Sequence, residues 1–261
     1  DVAALTAYTK ANEVKDVAVV GGGYIGLEVA ENLKMAGYNV SLIEAQDQIM
    51  APLDYDMVQI INREIMKNGV DLILKDSVQA IGSDEVTLAS GRTVKAQAVV
   101  MAIGVSPENA LAKQAGLELG VAGSIKVNHH YQTSNPHIYA VGDAIETTCF
   151  FTGQKTQLTL AGPAQRQARA AADHVYGRTY LNTGVIGSSS VKMFGLNSAN
   201  TGLNEKQCQA RGIAYDFAYI IPKDKVSIMP GAENLFFKLI FAVPSGKILG
   251  AQAVGRGNVD K

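Results

Sequence analysis

Apolar residues gather in short runs along the chain, and the spacing of the runs predicts alternating strands and helices. Val17-Ala18-Val19-Val20 has the length and β-branched content of a buried strand. Between residues 24 and 35 the apolar side chains Ile25, Val29 and Leu33 recur every four positions, a helical period, and Gly37 supplies a stop. A second strand at 40–43 ends in Glu44. Pro52 then marks a loop, and Asp54 is placed to cap a helix carrying Met57, Ile60, Ile61 and Ile65 on one face. Gly69 ends that helix before a third strand at 70–74. Strand, helix and strand in succession predict a doubly wound parallel sheet, entered through a short connecting helix within residues 1–13.

The pattern then shortens. Segments 77–81, 85–88 and 93–95 alternate with turns at Gly82-Ser83-Asp84 and Ser90-Gly91-Arg92, which predicts a small antiparallel meander appended to the sheet. The run 98–104 reads as a buried strand. After Pro107 small residues dominate, a strand at 138–141 is expected to deliver Asp143 just beyond Gly142, and an Ala-rich helix is expected from about Thr159 to Tyr176. Beyond Gly184 strands are expected at 191–194, 214–221, 235–241 and 248–254. One helix interrupts them at 204–211, with Asn204 and Gln207 spaced as a capping box and Gly212 as its stop. Residues 235–241 are too apolar for an exposed edge, so they are expected to bury against another subunit or domain.

Composition narrows the function classes. A net charge of −1 with a pI near 6.5 and no long basic run leaves no electrostatic footprint for nucleic acid or anionic membrane. No apolar run reaches the roughly 18 residues of a membrane span, and the N-terminus lacks the order of a signal peptide, so a cytoplasmic location is expected. Cys149 and Cys208 fit neither a redox pair nor a zinc pair, and His129, His130, His137 and His174 show no ligand spacing; no metal site is expected. The chain starts at Asp1 without Met, as an excerpt of a longer protein would.

Chemistry enters at the first strand. Gly21, Gly23 and Gly26 follow it with G-x-G-x-x-G spacing, which permits a tight turn, close approach of a pyrophosphate to bare backbone, and tight packing of helix on strand. The helix that follows directs its N–H groups and positive dipole end at the phosphates. Glu44, eighteen positions after Gly26, is placed to accept hydrogen bonds from the adenosine ribose of NAD. The N-terminus of the 159–176 helix is a second place where backbone N–H groups could meet an acceptor.

With these motifs in hand the sequence resembles the flavin-dependent pyridine nucleotide-disulfide oxidoreductases, in the branch of coenzyme A-disulfide reductases, NADH oxidases and NADH peroxidases. The resemblance is carried by Val20-Gly21-Gly22-Gly23-Tyr24-Ile25-Gly26-Leu27-Glu28, by Ala102-Ile103-Gly104-Val105-Ser106-Pro107, by residues 133–143, and by Gly250-Ala251-Gln252-Ala253-Val254-Gly255. Residues 160–167 and the ending 255–261 look most like coenzyme A-disulfide and persulfide reductases. The resemblance implies a Rossmann-type NAD domain (14–107) inserted in an FAD-binding domain, whose returning half is 108–184, followed by an α+β dimerisation domain at 188–261. It implies a homodimer. The cofactor contacts it implies are the loop Gly21, Gly22, Gly23, Tyr24, Ile25 and Gly26, with Tyr24 near the flavin face, Glu28 near the carboxamide and Gly104 under the NAD. For FAD it implies Gly142 with Asp143 on the ribityl chain, and Thr159, Leu160 and Ala161 on the isoalloxazine edge.

The family's FAD glycine motif and its redox cysteine are not matched here, and that cysteine is expected upstream of this chain; no catalytic residue is assigned within it. The isolated chain is accordingly expected to hold FAD poorly. The function implied is an NADH-dependent flavoprotein reducing coenzyme A disulfide or a persulfide. An NADH oxidase or peroxidase, and a non-catalytic nucleotide-binding and dimerisation module, are the alternatives. Glu44, followed by the neutral Ala45 and Gln46, predicts a preference for NADH over NADPH. Replacing it by Gln or Arg should erode that preference by roughly 1.5–3 kcal/mol, the worth of a hydrogen bond to a charged group, as read by calorimetry with both coenzymes.

Overall fold

A computed structural model describes residues 2–178, 182–257 and Val259. They form two compact units, one joining Asp1–Gly104 to Ser190–Lys261, the other Val105–Ser189.

The first unit begins with α1 (Val2–Ala11), β1 (Asp16–Val20), α2 (Tyr24–Met35), β2 (Asn39–Glu44), α3 (Tyr55–Lys67) and β3 (Asp71–Leu74). A meander of β4 (Val78–Ile81), β5 (Glu85–Leu88) and β6 (Thr93–Lys95) follows, and then β7 (Ala98–Met101). The parallel sheet has the order β3-β2-β1-β7, so the chain reverses direction of growth beside β1. One face packs Val19, Leu42, Leu27 and Ala30 against Met57, Ile61 and Ile65 of α3. The meander is more than an appendage. Its Val86, Leu88 and Val94 cover Ala18, Ile43 and Ile73 on the opposite face.

In α2 the buried positions are Gly26, Leu27 and Ala30, whereas Ile25 is 57% exposed, so the four-residue periodicity put the wrong residue inward at the start of the helix. The cause is the close approach of Gly26 to the Gly21 carbonyl, which fixes the rotation of the helix.

The second unit holds α4 (Ala110–Gln114), the two-residue strands β8 (Thr147–Thr148) and β9 (Lys155–Thr156), and α5 (Ala161–Val175). The expected strand at 138–141 is not formed. Tyr139 makes one isolated bridge to Gln132, and residues 138–141 are half-buried extended chain leading into a 3-10 turn at Gly142–Ala144.

The C-terminal module consists of β10 (Ser188–Met193), β11 (Leu196–Gly202), α6 (Glu205–Ala210), β12 (Tyr215–Ile220), β13 (Leu235–Ala242) and β14 (Ile248–Gly255), in a sheet of order β10-β11-β14-β13-β12. The capping box of Asn204 and Gln207 is present. Strand β11 was not foreseen. Its sequence, Leu-Asn-Ser-Ala-Asn-Thr-Gly, is poor in strand formers and is held by pairing with β14. The apolar run 235–241 is β13, an interior strand between β12 and β14, so it needs no second subunit to cover an edge. The uncovered apolar surface lies instead on the edge strand β12 and the loop after it, where Phe217, Ile220, Ile221, Val226, Ile228 and Met229 are exposed. Positions 258, 260 and 261 of the ending signature lie outside the described residues.

Asp54 begins α3 but does not cap it with its side chain. Its carboxylate accepts the Glu205 N–H and the Gln252 Nε2, both at 2.8 Å, and lies 3.3 Å from Lys238 Nζ. Lys238 on β13 is fully buried and also pairs with Asp56, at 2.9 Å, and with Glu205, while its ammonium sits 4.3 Å from the Phe217 ring centroid. Burial pulls the ammonium down, but the hydrogen bonds it donates to Glu205 and Asp56 and the Asp54 charge outweigh it and leave Lys238 above its ordinary 10.5. Burial pushes the Asp54 carboxyl up, against the opposing pull of the Glu205 N–H and Lys238. Removing the one cation leaves three carboxylates facing one another, so Lys238→Met should cost about 3–5 kcal/mol in denaturant unfolding. The raised pKa makes Lys238's contribution complete below pH 10.5 and lost as the pH climbs through its folded-state value. The decline of stability in that alkaline range should therefore be steeper in the unmodified protein than in the variant.

Candidate functional site

The glycine loop joins β1 to α2, and its glycines do different work. Gly21 has φ +107°, donates its N–H to the Ile43 carbonyl at 2.8 Å, and would put a Cβ 2.3 Å from the Ala102 carbonyl oxygen. A Cβ on Gly26 would fall 1.8 Å from the Gly21 carbonyl oxygen, and one on Gly22 would fall 2.3 Å from Ile49 Cγ2. These three are required by the chain's own packing. Gly23 is not: it caps α2 with φ −78°, open to any residue, and its Cβ would meet nothing within 4 Å. Gly104, beyond β7 with φ +113°, also faces open space. The open positions at the N-terminus of α2 leave room for a group to lie against backbone, as a dinucleotide pyrophosphate does.

The neighbouring side chains converge on the carboxyl ends of the strands, where open parallel sheets bind their ligands. Glu44 accepts the Gly22 N–H at 2.7 Å on one carboxylate oxygen and the Gln46 N–H at 2.8 Å on the other. Tyr24 donates its hydroxyl to Asn200 Oδ1 at 3.0 Å, a bond from the glycine loop to β11. Ile25 and Glu28 face solvent on the first turns of α2.

In the second unit, Gly142 (φ +82°) donates its N–H to the buried Gln167 Oε1 at 2.7 Å, which fixes the turn that presents Asp143. Asp143 is exposed and shares with Ala161 an open cavity of about 610 Å³, lined also by Val141, Gln157 and Ala164. Leu160 is the N-cap of α5, and Thr159 precedes it, both half-buried. The structure thus brings Gly21–Glu28 and Glu44 together in one unit, and Asp143 and Ala161 together in the other.

Sequence reasoning missed the support beneath the loop that follows Glu44. Met50 donates its N–H to the Gly22 carbonyl at 2.8 Å, and Asn204 Nδ2 donates to the Ala51 carbonyl at 2.9 Å. Gln252 Oε1 accepts the Asp54 N–H at 2.8 Å. No local signal marks such pairs, since Asn204 and Gln252 lie far along the chain.

The other candidates for chemistry are quiet. Cys208 is buried, and burial, with the Asp54 charge beside it, pushes its thiol up, which disfavours the nucleophilic thiolate. Cys149 is half-buried. Asp54, Asp56 and Glu205 place ligand atoms within 4.8 Å of one another, but the Lys238 ammonium already bonds to all three.

Two family models match the chain: pyridine nucleotide-disulphide oxidoreductase over residues 2–168, and pyridine nucleotide-disulphide oxidoreductase, dimerisation domain, over residues 188–260. Among curated proteins, an NAD(P)H sulfur oxidoreductase (CoA-dependent) of Pyrococcus furiosus is 32% identical over 98% of this chain and 58% of its own length. A coenzyme A disulfide reductase of Staphylococcus aureus is 30% identical over 100% of this chain and 59% of its own length. The solved structure of reduced Bacillus anthracis CoADR-RHD superposes with a TM-score of 0.94 at 43% identity, covering 96% of this chain and 46% of that one. The chain therefore spans less than two thirds of the relatives it matches.

The two kinds of glycine separate stability from binding. Gly26→Ala forces a backbone clash and should lower the melting temperature sharply, whereas Gly23→Ala should melt like the unmodified protein and lose nicotinamide coenzyme affinity, measured by calorimetry.

Proposed function

Because the chain belongs to the pyridine nucleotide-disulphide oxidoreductase family, we propose that it is the NADH-binding and dimerising part of a flavoprotein that reduces coenzyme A disulfide or persulfide-type sulfur. In this reading residues 14–107 are the NAD domain, 108–184 the returning half of an FAD domain, and 188–261 most of the dimerisation domain. The observation that carries it is the open space over Gly23, in a loop whose other glycines are explained by packing, together with the open space over Gly104 beyond β7. The names of the Pyrococcus and Staphylococcus relatives support the sulfur substrate.

Each residue then has a task. The backbone from Gly21 to Gly26 receives the pyrophosphate at the N-terminus of α2. Glu44 accepts the ribose hydroxyls, since each of its oxygens keeps acceptor capacity beyond the N–H it already holds. Its negative charge disfavours a 2′-phosphate, which makes NADH the preferred coenzyme. Asn200 holds the Tyr24 hydroxyl, so that the ring and Glu28 border the nicotinamide end, and Gly104 lets the coenzyme lie close to the backbone. Asp143 offers its carboxylate to the FAD ribityl chain, and residues Thr159, Leu160 and Ala161 offer backbone to the ring edge. Bound FAD would supply a two-electron acceptor for the nicotinamide hydride, held by the Asp143 carboxylate and the backbone of Thr159, Leu160 and Ala161.

A second copy of the chain fits the apolar surface of β12 and its following loop, giving a two-fold homodimer. Calorimetry of the 261-residue chain should show NADH binding, and light scattering should give a dimer mass. The longer protein should oxidise NADH with coenzyme A disulfide or polysulfide as acceptor. Absence of NADH binding, or turnover with oxygen or peroxide alone, would contradict the coenzyme or the substrate assignment respectively.

A further inference from the structure

We propose that Lys206, in the first turn of α6, tunes the choice between NADH and NADPH by setting the charge that Asp47 presents at the ribose end of the dinucleotide loop. The inference rests on the coenzyme reading above and concerns the same site.

Gln46 donates its N–H to Glu44 Oε1 at 2.8 Å, so the chain turns back across the carboxylate assigned to the ribose, and Asp47 is the next residue. Lys206 Nζ reaches Asp47 Oδ1 at 3.0 Å, with both side chains about half exposed. The Lys75 N–H donates to the Gln46 carbonyl at 2.9 Å, which brings a second ammonium-bearing residue to the same turn. The Asp47 carboxyl is held below its ordinary value by the hydrogen bond from Lys206, against some desolvation, and the charges of Lys206 and Lys75 add to the lowering. Asp76, next to Lys75, is engaged with Ser90 through its side chain. The turn therefore brings the carboxylates of Glu44 and Asp47 together with two ammonium-bearing residues, Lys206 paired to Asp47 and Lys75 beside it, while a third carboxylate, Asp76, has Ser90 as its hydrogen-bond donor.

A half-exposed ion pair contributes little to stability, so the pair is not explained as a fastener. The fastening of α6 to this region is done by others, Asn204 to the Ala51 carbonyl and the Glu205 N–H to Asp54. Those bonds hold the first turn of α6 in place, and Lys206 projects from it to the acid. NADH and NADPH differ at the 2′ position by one phosphate, so the net charge of this turn acts on one coenzyme and not on the other. With Lys206 paired, Asp47 is neutralised and the discrimination rests on Glu44. With Lys206 gone, Asp47 adds its own repulsion.

The test is calorimetry of the 261-residue chain with NADH and NADPH in parallel. Lys206→Met should lower the NADPH-to-NADH affinity ratio by about fivefold, and Asp47→Asn should raise it by about as much, as unit charges act over a short distance near a surface. Lys206→Arg should keep the ratio of the unmodified chain. Both shifts should shrink at about 1 M salt, where screening extends only ~3 Å. A ratio unmoved by Lys206→Met, or a parallel loss of both coenzymes, would overturn the proposal, the second outcome assigning Lys206 to loop placement alone. Failure of the unmodified chain to bind either coenzyme would sink the coenzyme reading beneath it.

Discussion

The approach of Gly26 to the Gly21 carbonyl is the constraint from which the dinucleotide half of the molecule follows. A side chain at Gly21 would collide with the Ala102 carbonyl just beyond β7, and one at Gly26 would collide with the Gly21 carbonyl, so α2 can lie directly on the end of β1 only if position 26 is glycine. That contact fixes the rotation of the helix. It turns Leu27 and Ala30 onto the sheet, leaves Ile25 outside, and points the first turn over the strand ends where Gly23 is open. Glu44 then ties β2 to the same loop through the Gly22 N–H. The architecture is thus a parallel sheet whose binding end is shaped by backbone contacts more than by side chains.

Where interactions are local, the sequence was a good guide. The elements from α1 to β7, the meander, and the capping box of α6 all announce themselves in periodicity, glycines and cap residues. Three of the failures share one cause, a tertiary partner overriding a local preference. Asp54 looked like a helix cap, but Lys238, Gln252 and the Glu205 N–H compete for its carboxylate. The polar segment 196–202 became a strand because β14 supplies a ladder for it. The apolar run of β13 looked like an interface because nothing local tells an interior strand from an edge that is covered by a partner.

Of the candidate site, the spacing of the glycines and Glu44 was legible, because a phosphate-binding turn needs those residue types in that order. What lies behind the loop was not. Asn204, Lys206, Lys238 and Gln252 each reach residues 47–56 from more than a hundred positions away, and no pattern of spacing encodes such a meeting. The C-terminal module is therefore part of the shape of the nucleotide loop as well as a sheet in its own right.

That dependence sets a limit on modular exchange. Residues 14–107 carry the motifs that look self-sufficient, and a protein engineer would be inclined to transplant them as a unit. Asp54 is only 2% exposed, and its three partners all come from residues 205–252. Cut free of them, the segment would leave the Asp54 carboxylate without its Lys238, Gln252 and Glu205 partners, next to a loop with its backing removed and a core that has lost Val191, Met193, Leu196 and Val254. Any recombination that respects this fold has to move the nucleotide segment and α6, β13 and β14 together, so the boundary that matters to a chimaera lies outside the one the glycine motif suggests.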